Sequence, residues 1–324
     1  MKKVLDYIKL MRLPNLLFVV LIQWLMARAV AMSVLKTFSL EAEVVPIHWL
    51  LVFVLATVLI SAGGYVINDY FDIKIDRINR PQRVLITNTI EKPQAMLLYQ
   101  ILTVVGVLLG VLVAFVVKSF TLGFIFVVVP GLLWFYSASY KRQFLVGNLM
   151  IAFCAALVPI SVAVLQSALL TLKYGEFIHQ TIVLPTLYVW ICGFAVFAFL
   201  LTFIREVIKD MQDEYGDREM ECRTMAIMWG EKRTKIFLYA IIILTAMVLG
   251  WIVFSKIPFQ NTITERYFLF GILLPLIILV YLLIKAKTTS DYRVASGLTK
   301  FVMLVGTLYS LVFAFLQLSS IAVN

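Results

Sequence analysis

Long apolar stretches restrict the possible fold of this chain more than any other feature. Hydrophobic residues make up 62% of its 324 residues and charged residues only 14%. A helix needs about 20 apolar residues to cross the hydrocarbon core of a bilayer, and nine stretches near that length recur. They lie at about 14–32, 48–67, 96–117, 119–138, 144–170, 181–204, 236–256, 266–285 and 299–322. Because a helix satisfies its own backbone hydrogen bonds in lipid, the sequence predicts an all-α polytopic membrane protein, a bundle of nine transmembrane helices.

The distribution of Lys and Arg predicts the orientation of this bundle. The N-terminal segment and the loops after spans 2, 4, 6 and 8 hold 22 of the 28 basic residues. By the positive-inside rule, the N-terminus is cytoplasmic and the C-terminus lies outside, in the cell (inner) membrane. The net charge of +10 then reflects topology and anionic lipid headgroups. No basic soluble domain is present to support a nucleic-acid partner, and no obligate protein partner is evident.

The start of the chain has a second interpretation as a cleavable secretory signal. Lys2 and Lys3 precede an apolar run that ends near Ala29-Val30-Ala31, which resembles a cleavage site. The segment before the run is long for such a signal, at about 16 residues, so we expect the first span to be retained.

One acidic pattern, Asp-x-x-Asp-x-x-x-Asp, occurs twice. The first acidic cluster is Asp69, Asp72 and Asp76, and the second acidic cluster is Asp210, Asp213 and Asp217. On a helix with about 100° per residue, three such carboxylates fall within an arc of about 60°. Each cluster follows an even-numbered span, which places both on the cytoplasmic face. A largely apolar membrane protein does not group carboxylates in this way without a counter-charge.

The chemistry of two such clusters indicates magnesium and a polyphosphate. Mg²⁺ binds one or two carboxylates together with water and phosphate oxygens. Two facing clusters, each with one metal ion, would clamp a diphosphate between them. The other interpretation is a pair of solvated loops whose acids form ion pairs with nearby Lys and Arg. A diphosphate beneath an apolar bundle indicates an isoprenyl diphosphate, whose allylic C–O bond ionises once metal ions stabilise the leaving group. The carbocation must then be kept from water until a lipophilic acceptor attacks.

The longest polar segments, about 68–95 and 205–235, contain the two clusters. Their mixture of charged and apolar residues predicts two cytoplasmic Asp-rich loops with short amphipathic helices that cap a central cavity. The similar setting of the two clusters predicts a single transmembrane domain over 1–324 with two four-helix pseudo-repeats, 1–140 and 144–285, and a ninth helix.

Four motifs resemble those of the UbiA superfamily of intramembrane prenyltransferases, over about residues 10–235. The first signature is Asn68-Asp69-x-x-Asp72-x-x-x-Asp76 followed by Asn79-Arg80-Pro81. The second is Arg205-Glu206-x-x-Lys209-Asp210-x-x-Asp213-x-x-Gly216-Asp217. Between them lies Tyr136-Ser137-x-x-Tyr140-Lys141-Arg142 with Gly147-Asn148, and near the start lies Arg12-x-Pro14-Asn15.

The resemblance implies roles for these residues and membrane lipid as the surroundings of the site. Two Mg²⁺ ions, and through them the diphosphate, would be bound by Asn68, Asp69, Asp72, Asp76, Asp210, Asp213 and Asp217. Of these, the residues expected to act directly in catalysis are Asp72, Asp76, Asp213 and Asp217. Direct contacts to phosphate oxygens are expected from Arg80, Lys141, Arg142 and Lys209. Tyr136 would hydrogen-bond the diphosphate or line the carbocation pocket, and Arg12 and Asn15 would approach the acceptor.

Two departures from the family pattern bear on the acceptor. Asn88 stands where many members have glycine, and we expect it to adopt the left-handed conformation there. Thr224-Met225-Ala226 replaces the usual Thr-Leu-Pro. The form of the second signature resembles members that prenylate geranylgeranylglyceryl phosphate, so we expect geranylgeranyl transfer to a glycerol-phosphate lipid. Prenylation of an aromatic quinone precursor is a second interpretation. An ion-coupled transporter, which releases no pyrophosphate, is a third.

Overall fold

In the computed structural model, the described residues are 2–255 and 262–323. Within them the secondary structure is helical, apart from one isolated bridge between Ile86 and Ile90. The α-helices are α1 Lys2–Leu10, α2 Leu13–Leu25, α3 Met32–Thr37, α4 Ile47–Phe71, α5 Ile73–Asn79, α6 Lys92–Val116, α7 Phe120–Ala138, α8 Val146–Tyr174, α9 Val183–Glu219, α10 Met225–Ser255, α11 Thr262–Arg266, α12 Leu274–Lys285 and α13 Thr289–Val323. Wider π turns, Met26–Ala31 and Tyr267–Leu273, join α2 to α3 and α11 to α12.

The described residues contain nine helical segments that are long and apolar enough to cross a membrane, which confirms the predicted number. They are Leu13–Thr37, Ile47–Phe71, Lys92–Val116, Phe120–Ala138, Val146–Gln180, Val183–Glu219, Met225–Ser255, Thr262–Lys285 and Thr289–Ser319. The predicted end of the seventh span, at 256, lies outside the described residues. The chain is therefore a multi-pass membrane protein with an all-α fold.

The helices form two compact units. The first unit comprises the residues up to Tyr140 together with Leu157–Cys192, and the second comprises Lys141–Ala156 with the described residues from Gly193 onward. In the first unit α4 packs against α2, α6 and α7, and in the second α12 packs against α10 and α13. α8 and α9 each contribute residues to both units, so the units are defined by tertiary contacts and their boundaries do not coincide with the ends of helices. The predicted pseudo-repeats 1–140 and 144–285 stay a prediction.

The acidic segments, which the sequence analysis places in loops, are mainly helical. α9 has 37 residues and is therefore about 55 Å long, whereas the hydrocarbon core is about 30 Å thick. Its last turns extend the helix past its apolar part and carry the second acidic cluster. The first cluster lies where α4 ends and the short helix α5 begins. Helix ends therefore position both clusters.

Close packing of α6 and α7 generates a test of the fold. A methyl group on Gly110 would lie 2.2 Å from Cγ of Phe126, whose ring also makes an edge contact with Phe53. We expect Gly110→Ala to lower the free energy of unfolding by about 1–3 kcal/mol, although alanine favours helix by about 1 kcal/mol.

The measurement is thermal unfolding of the purified protein in detergent. Gly131→Ala in α7 is the matched control, because a methyl group there meets no atom within 4 Å. An unfolding midpoint of Gly110→Ala at or above that of Gly131→Ala would contradict this packing.

Candidate active site

The second acidic cluster lies on the last three turns of α9. Nδ2 of Asn148, in the first turn of α8, donates a hydrogen bond to Oδ2 of Asp210 at 2.8 Å. Asn148 is buried, so its amide fixes one carboxylate oxygen of Asp210 with a directional contact. Asp213 accepts a weaker contact from Gln212 at 3.4 Å, and the carbonyl oxygen of Asp217 accepts the backbone N–H of Cys222 where the helix ends.

A buried carboxylate, Glu206, extends the second cluster by one turn. It is 8% exposed and accepts hydrogen bonds from Nη1 of Arg205 at 3.0 Å and from Nζ of Lys209 at 2.8 Å. Lys209, which we predicted to contact phosphate, is thus positioned by a carboxylate one turn away. A buried charge is tolerated when it is paired and hydrogen-bonded, and Glu206 satisfies both conditions.

The first acidic cluster is not on one continuous helix, which corrects the predicted geometry. Asp72 has φ −89° and ψ 0° and forms the junction between α4 and α5. Asp69 therefore lies on α4 and Asp76 on α5. Nδ2 of Asn68 donates to Oδ2 of Asp72 at 3.0 Å, so these two predicted site residues are in contact. Asp72 thus separates the helix that carries Asp69 from the helix that carries Asp76.

Arg12 provides the counter-charge for the first cluster. Its Nη2 lies 2.5 Å from Oδ1 of Asp69, and its guanidinium is 5.0 Å from the ring centre of Tyr65. Arg12 has a left-handed backbone, φ 56°, at the turn between α1 and α2, and Pro14 then occupies the first turn of α2. The structure places the guanidinium of Arg12 on a predicted metal ligand, and its approach to the acceptor stays a prediction.

Burial and like charge both destabilise the ionised carboxylates of the first cluster. Burial, followed by the negative charges of Asp72 and Asp69, raises the pKa of Asp76 from 3.8 to about 6. Burial, the largest single effect, lowers the pKa of Arg12, but the charge of Asp69 and the hydrogen bond to it, with further contributions from Tyr65 and Asp76, together raise the pKa of Arg12 overall. A group of carboxylates that repel one another in this way is stabilised by a bound cation.

The donor set is appropriate for Mg²⁺. In the described part of the chain, no three His, Cys, Asp or Glu side chains converge to hold a metal by themselves. Mg²⁺ does not need such a cage, because it usually keeps several waters and binds one or two carboxylates with phosphate oxygens. Each acidic cluster offers carboxylate oxygens at a helix end, and the pKa of Asp76 is raised by burial and then by the neighbouring charges of Asp72 and Asp69.

The remaining predicted phosphate contacts fall in both units. Arg80 ends α5, one turn after Asp76, and Tyr136 lies in the last turn of α7, both in the first unit. Lys141 and Arg142 form a 3-10 turn in the second unit. The carbonyl oxygen of Arg142 accepts the backbone N–H of Arg223 at 2.7 Å, which joins this turn to the segment after α9.

The prediction that Asn88 adopts a left-handed conformation is wrong. Thr87 has the positive φ, 83°, and its backbone N–H donates to the carbonyl oxygen of Ile90 at 2.8 Å. Nδ2 of Asn88 instead donates to the carbonyl oxygen of Val84 at 2.8 Å. Oγ1 of Thr87 also accepts a hydrogen bond from Arg77, which stabilises threonine at this unusual position.

Two residues of the site received no role from the sequence. Asn148 was visible only as part of a short motif, and its contact with Asp210 joins residues 62 positions apart. Glu206 had a clearer signal, because it precedes Asp210 by four residues and so lies on the same face of α9.

The fold and the site together define a polytopic membrane protein with two acidic clusters, one in each compact unit. A sequence model of the UbiA prenyltransferase family matches residues 29–304. The chain belongs to the UbiA prenyltransferase family and is a prenyltransferase, which confirms the family expected from the motifs.

Known relatives agree with this assignment. The digeranylgeranylglyceryl phosphate synthase of Sulfolobus acidocaldarius is 33% identical over 251 residues, which cover 77% of this chain and 80% of the relative. A solved structure of digeranylgeranylglyceryl phosphate synthase superposes with a TM-score of 0.60 at 22% identity, covering 97% of this chain and 99% of that chain.

A UbiA homolog from Archaeoglobus fulgidus, bound to DMAPP and Mg²⁺, has a TM-score of 0.55 at 14% identity over 93% of this chain and 98% of that chain. Both solved structures confirm the all-α fold of the present chain.

The raised pKa of Asp76 predicts how proton and metal compete. Protonation below about pH 6 removes the charge of this carboxylate, so Mg²⁺ affinity should fall about tenfold for each pH unit below that value. The measurement is calorimetric titration with Mg²⁺ between about pH 5 and pH 8. Asp76→Asn is the control and should lack this inflection. Equal affinity throughout the range for the unmodified protein would contradict Asp76 as a ligand.

The contact between Asn148 and Asp210 predicts a second effect on metal binding. Asn148→Ala removes the donor that orients Asp210, and loss of such a supporting contact reduces metal affinity by about 10–100-fold. We expect the Mg²⁺ concentration for half-maximal turnover to rise accordingly, with turnover largely restored at saturating Mg²⁺. An unchanged Mg²⁺ dependence in a folded Asn148→Ala protein would exclude this role.

Proposed function

We propose that this prenyltransferase transfers a geranylgeranyl-type chain from its diphosphate to a hydroxyl group of a glycerol-phosphate lipid. The observation that carries the proposal is the similarity to digeranylgeranylglyceryl phosphate synthase over most of both chains. A second synthase of the same name, from Methanosphaera stadtmanae, is 29% identical over 70% of this chain. The form of the second signature supports the same subclass, and in it Glu206 accepts hydrogen bonds from Arg205 and Lys209.

Two Mg²⁺ ions fit the proposed reaction, one at each acidic cluster. Their ligands would come from Asn68, Asp69, Asp72, Asp76, Asp210, Asp213 and Asp217. When bound, the ions neutralise charge that develops on the departing diphosphate oxygens. Support for magnesium comes from the carboxylate donor set and from the Mg²⁺ bound by the A. fulgidus homolog.

Residues of the chain itself preorganise the groups of this site. Arg12 compensates the charge of Asp69, Asn148 orients Asp210, and Glu206 positions Lys209. Preorganised charges of this kind stabilise a transition state without the cost of reorganisation. Lys141, Arg142, Lys209 and Arg80 supply cationic groups for phosphate oxygens, and Tyr136 supplies a hydroxyl group near the end of α7.

The transfer exchanges one C–O bond for another. The bond between the allylic carbon and the diphosphate breaks, and the diphosphate leaves with the bonding electrons. The acceptor hydroxyl oxygen then attacks the allylic carbon and forms an ether, and its proton passes to the released diphosphate. Apolar helices beside the charged helix ends keep water from the carbocation during this exchange.

The proposed location is the cell (inner) membrane with the acidic clusters on the cytoplasmic side. The basic residues at the N-terminus and around both clusters support this orientation. With nine spans among the described residues, the C-terminus then lies outside.

The direct test is mass spectrometry of products formed by the purified protein in detergent. The reaction contains Mg²⁺ and geranylgeranyl diphosphate, with either geranylgeranylglyceryl phosphate or an aromatic acid as acceptor. We expect a prenylated glycerol-phosphate lipid and pyrophosphate, both abolished by EDTA. Product only from the aromatic acid would move the assignment to quinone-precursor prenylation. The absence of any product and of pyrophosphate would contradict geranylgeranyl diphosphate as the donor and favour a donor of another chain length.

Neutralising one carboxylate in either cluster tests whether both are required. We expect Asp72→Asn and Asp213→Asn each to reduce turnover by at least about a thousandfold. Each change removes a metal-binding charge and keeps nearly the same side-chain volume. Glu214→Gln is the matched control, since Glu214 neighbours Asp213 but pairs with Arg218. Turnover is measured as pyrophosphate release. Activity near that of the unmodified protein in either Asp→Asn variant would contradict the two-metal proposal.

A further inference from the structure

A second stripe of polar side chains runs along α9 beside the acidic stripe. At about 100° per residue, each stripe occupies an arc of about 60°, and the two arcs are adjacent. The acidic stripe is Glu206, Asp210, Asp213 and Asp217. The polar stripe is Thr202, Arg205 and Lys209. Glu206 joins them, because its carboxylate accepts hydrogen bonds from both Arg205 and Lys209.

Arg205 has a hydrogen-bonding edge that the described residues do not use. Its Nη1 is held by Glu206 at 3.0 Å, and 18% of its side chain is exposed. Its Nε is buried and has no hydrogen-bond partner among the described residues. Nε shares an edge of the planar guanidinium with Nη2, and this edge is one that carboxylates and phosphates bind in a bidentate manner. A buried N–H without an acceptor is unfavourable, so this edge favours an oxygen supplied from outside the chain.

Thr202 has an unused hydroxyl group one turn before Arg205. Its Oγ1 is buried and finds no partner among residues 2–255 and 262–323. Other buried helical threonines of the same unit behave differently: the hydroxyl groups of Thr245 and Thr299 donate to the carbonyl oxygen four residues earlier. Residues three apart on a helix have Cβ atoms about 5–6 Å from each other. Thr202 and Arg205 are therefore two neighbouring donors on one face of α9.

The chemistry of these donors favours an oxyanion. The guanidinium supplies positive charge and paired N–H groups, and the hydroxyl supplies a further donor, a combination that matches a phosphate group. Arg205 lies about 8 Å along the helix axis from Asp210, about 12 Å from Asp213 and about 18 Å from Asp217. An anion at Arg205 is thus offset along α9 from a diphosphate held near Asp213 and Asp217.

We propose that Thr202 and Arg205 bind the phosphate group of the phosphorylated glyceryl acceptor. This inference rests on the proposed function and gives Thr202 and Arg205 the role of selecting an acceptor with a phosphomonoester, while Lys209 serves the donor diphosphate. The diphosphate of the donor shares the same chemistry, and separate measurements on the two substrates distinguish them.

The experiment compares the phosphorylated acceptor with the corresponding dephosphorylated alcohol in steady-state prenyl transfer. In Arg205→Gln, we expect kcat/KM for the phosphorylated acceptor to fall about 10–100-fold, the loss typical of a hydrogen bond to a charged group. Thr202→Val should lose several-fold. The kcat/KM for the alcohol and the KM for the donor should stay within about twofold. Thr245→Val is the matched control, because its hydroxyl is already satisfied within its own helix.

A binding measurement separates failure of the subsite from failure of the proposed function. The phosphorylated acceptor should raise the melting temperature of the unmodified protein, and Arg205→Gln should lose this shift, with or without turnover. Arg205→Lys, which keeps the charge but not the planar edge, should lose most of it. A retained shift, equal losses with both acceptors, or a rise only in the KM for the donor would overturn the assignment. A lost shift without prenyl transfer would leave the subsite supported and contradict the proposed function alone.

Discussion

Grouped carboxylates at the ends of membrane-spanning helices are the constraint on which the rest of this structure depends. Carboxylates that repel one another at a helix end are stable only with counter-charges or hydrogen-bond donors around them. The chain supplies these locally: Arg12 contacts Asp69, Asn148 contacts Asp210, and Lys209 contacts Glu206. Each contact supplies a hydrogen-bond donor to a carboxylate at or beside a cluster. The same groups therefore stabilise the ligand-free protein and orient the site for a cation.

The two acidic clusters are positioned by different helical arrangements. α9 is longer than the hydrocarbon core requires, so its second half carries two parallel stripes beyond its apolar part. α4 instead ends at Phe71, and Asp72 joins it to the short helix α5. One continuous helix and one junction between two helices thus carry the same acidic pattern. In both units, contacts from a distant segment complete the arrangement.

Much of the fold and the family could be predicted from the sequence, because apolar length and charge asymmetry report directly on membrane spans and because the acidic motifs recur with fixed spacing. The nine spans and the family assignment were predicted correctly. The continuous helix expected through Asp69, Asp72 and Asp76 was wrong, since spacing alone does not reveal a break at Asp72. Asn88 was also assigned the wrong conformation, because the turn uses its side chain as a donor to Val84 and gives the positive φ to Thr87. Contacts such as Asn148 with Asp210 join distant positions and depend on tertiary packing.

The central claim is that each acidic cluster binds one divalent ion together with the donor diphosphate. Counting bound Mn²⁺ by electron paramagnetic resonance, with an unreactive thio analogue of geranylgeranyl diphosphate present, tests this claim most directly. We expect two ions per chain in the unmodified protein and one in a protein whose second cluster carries Asp210→Asn, Asp213→Asn and Asp217→Asn. A single ion in the unmodified protein, or two ions retained after the second cluster is neutralised, would contradict the claim.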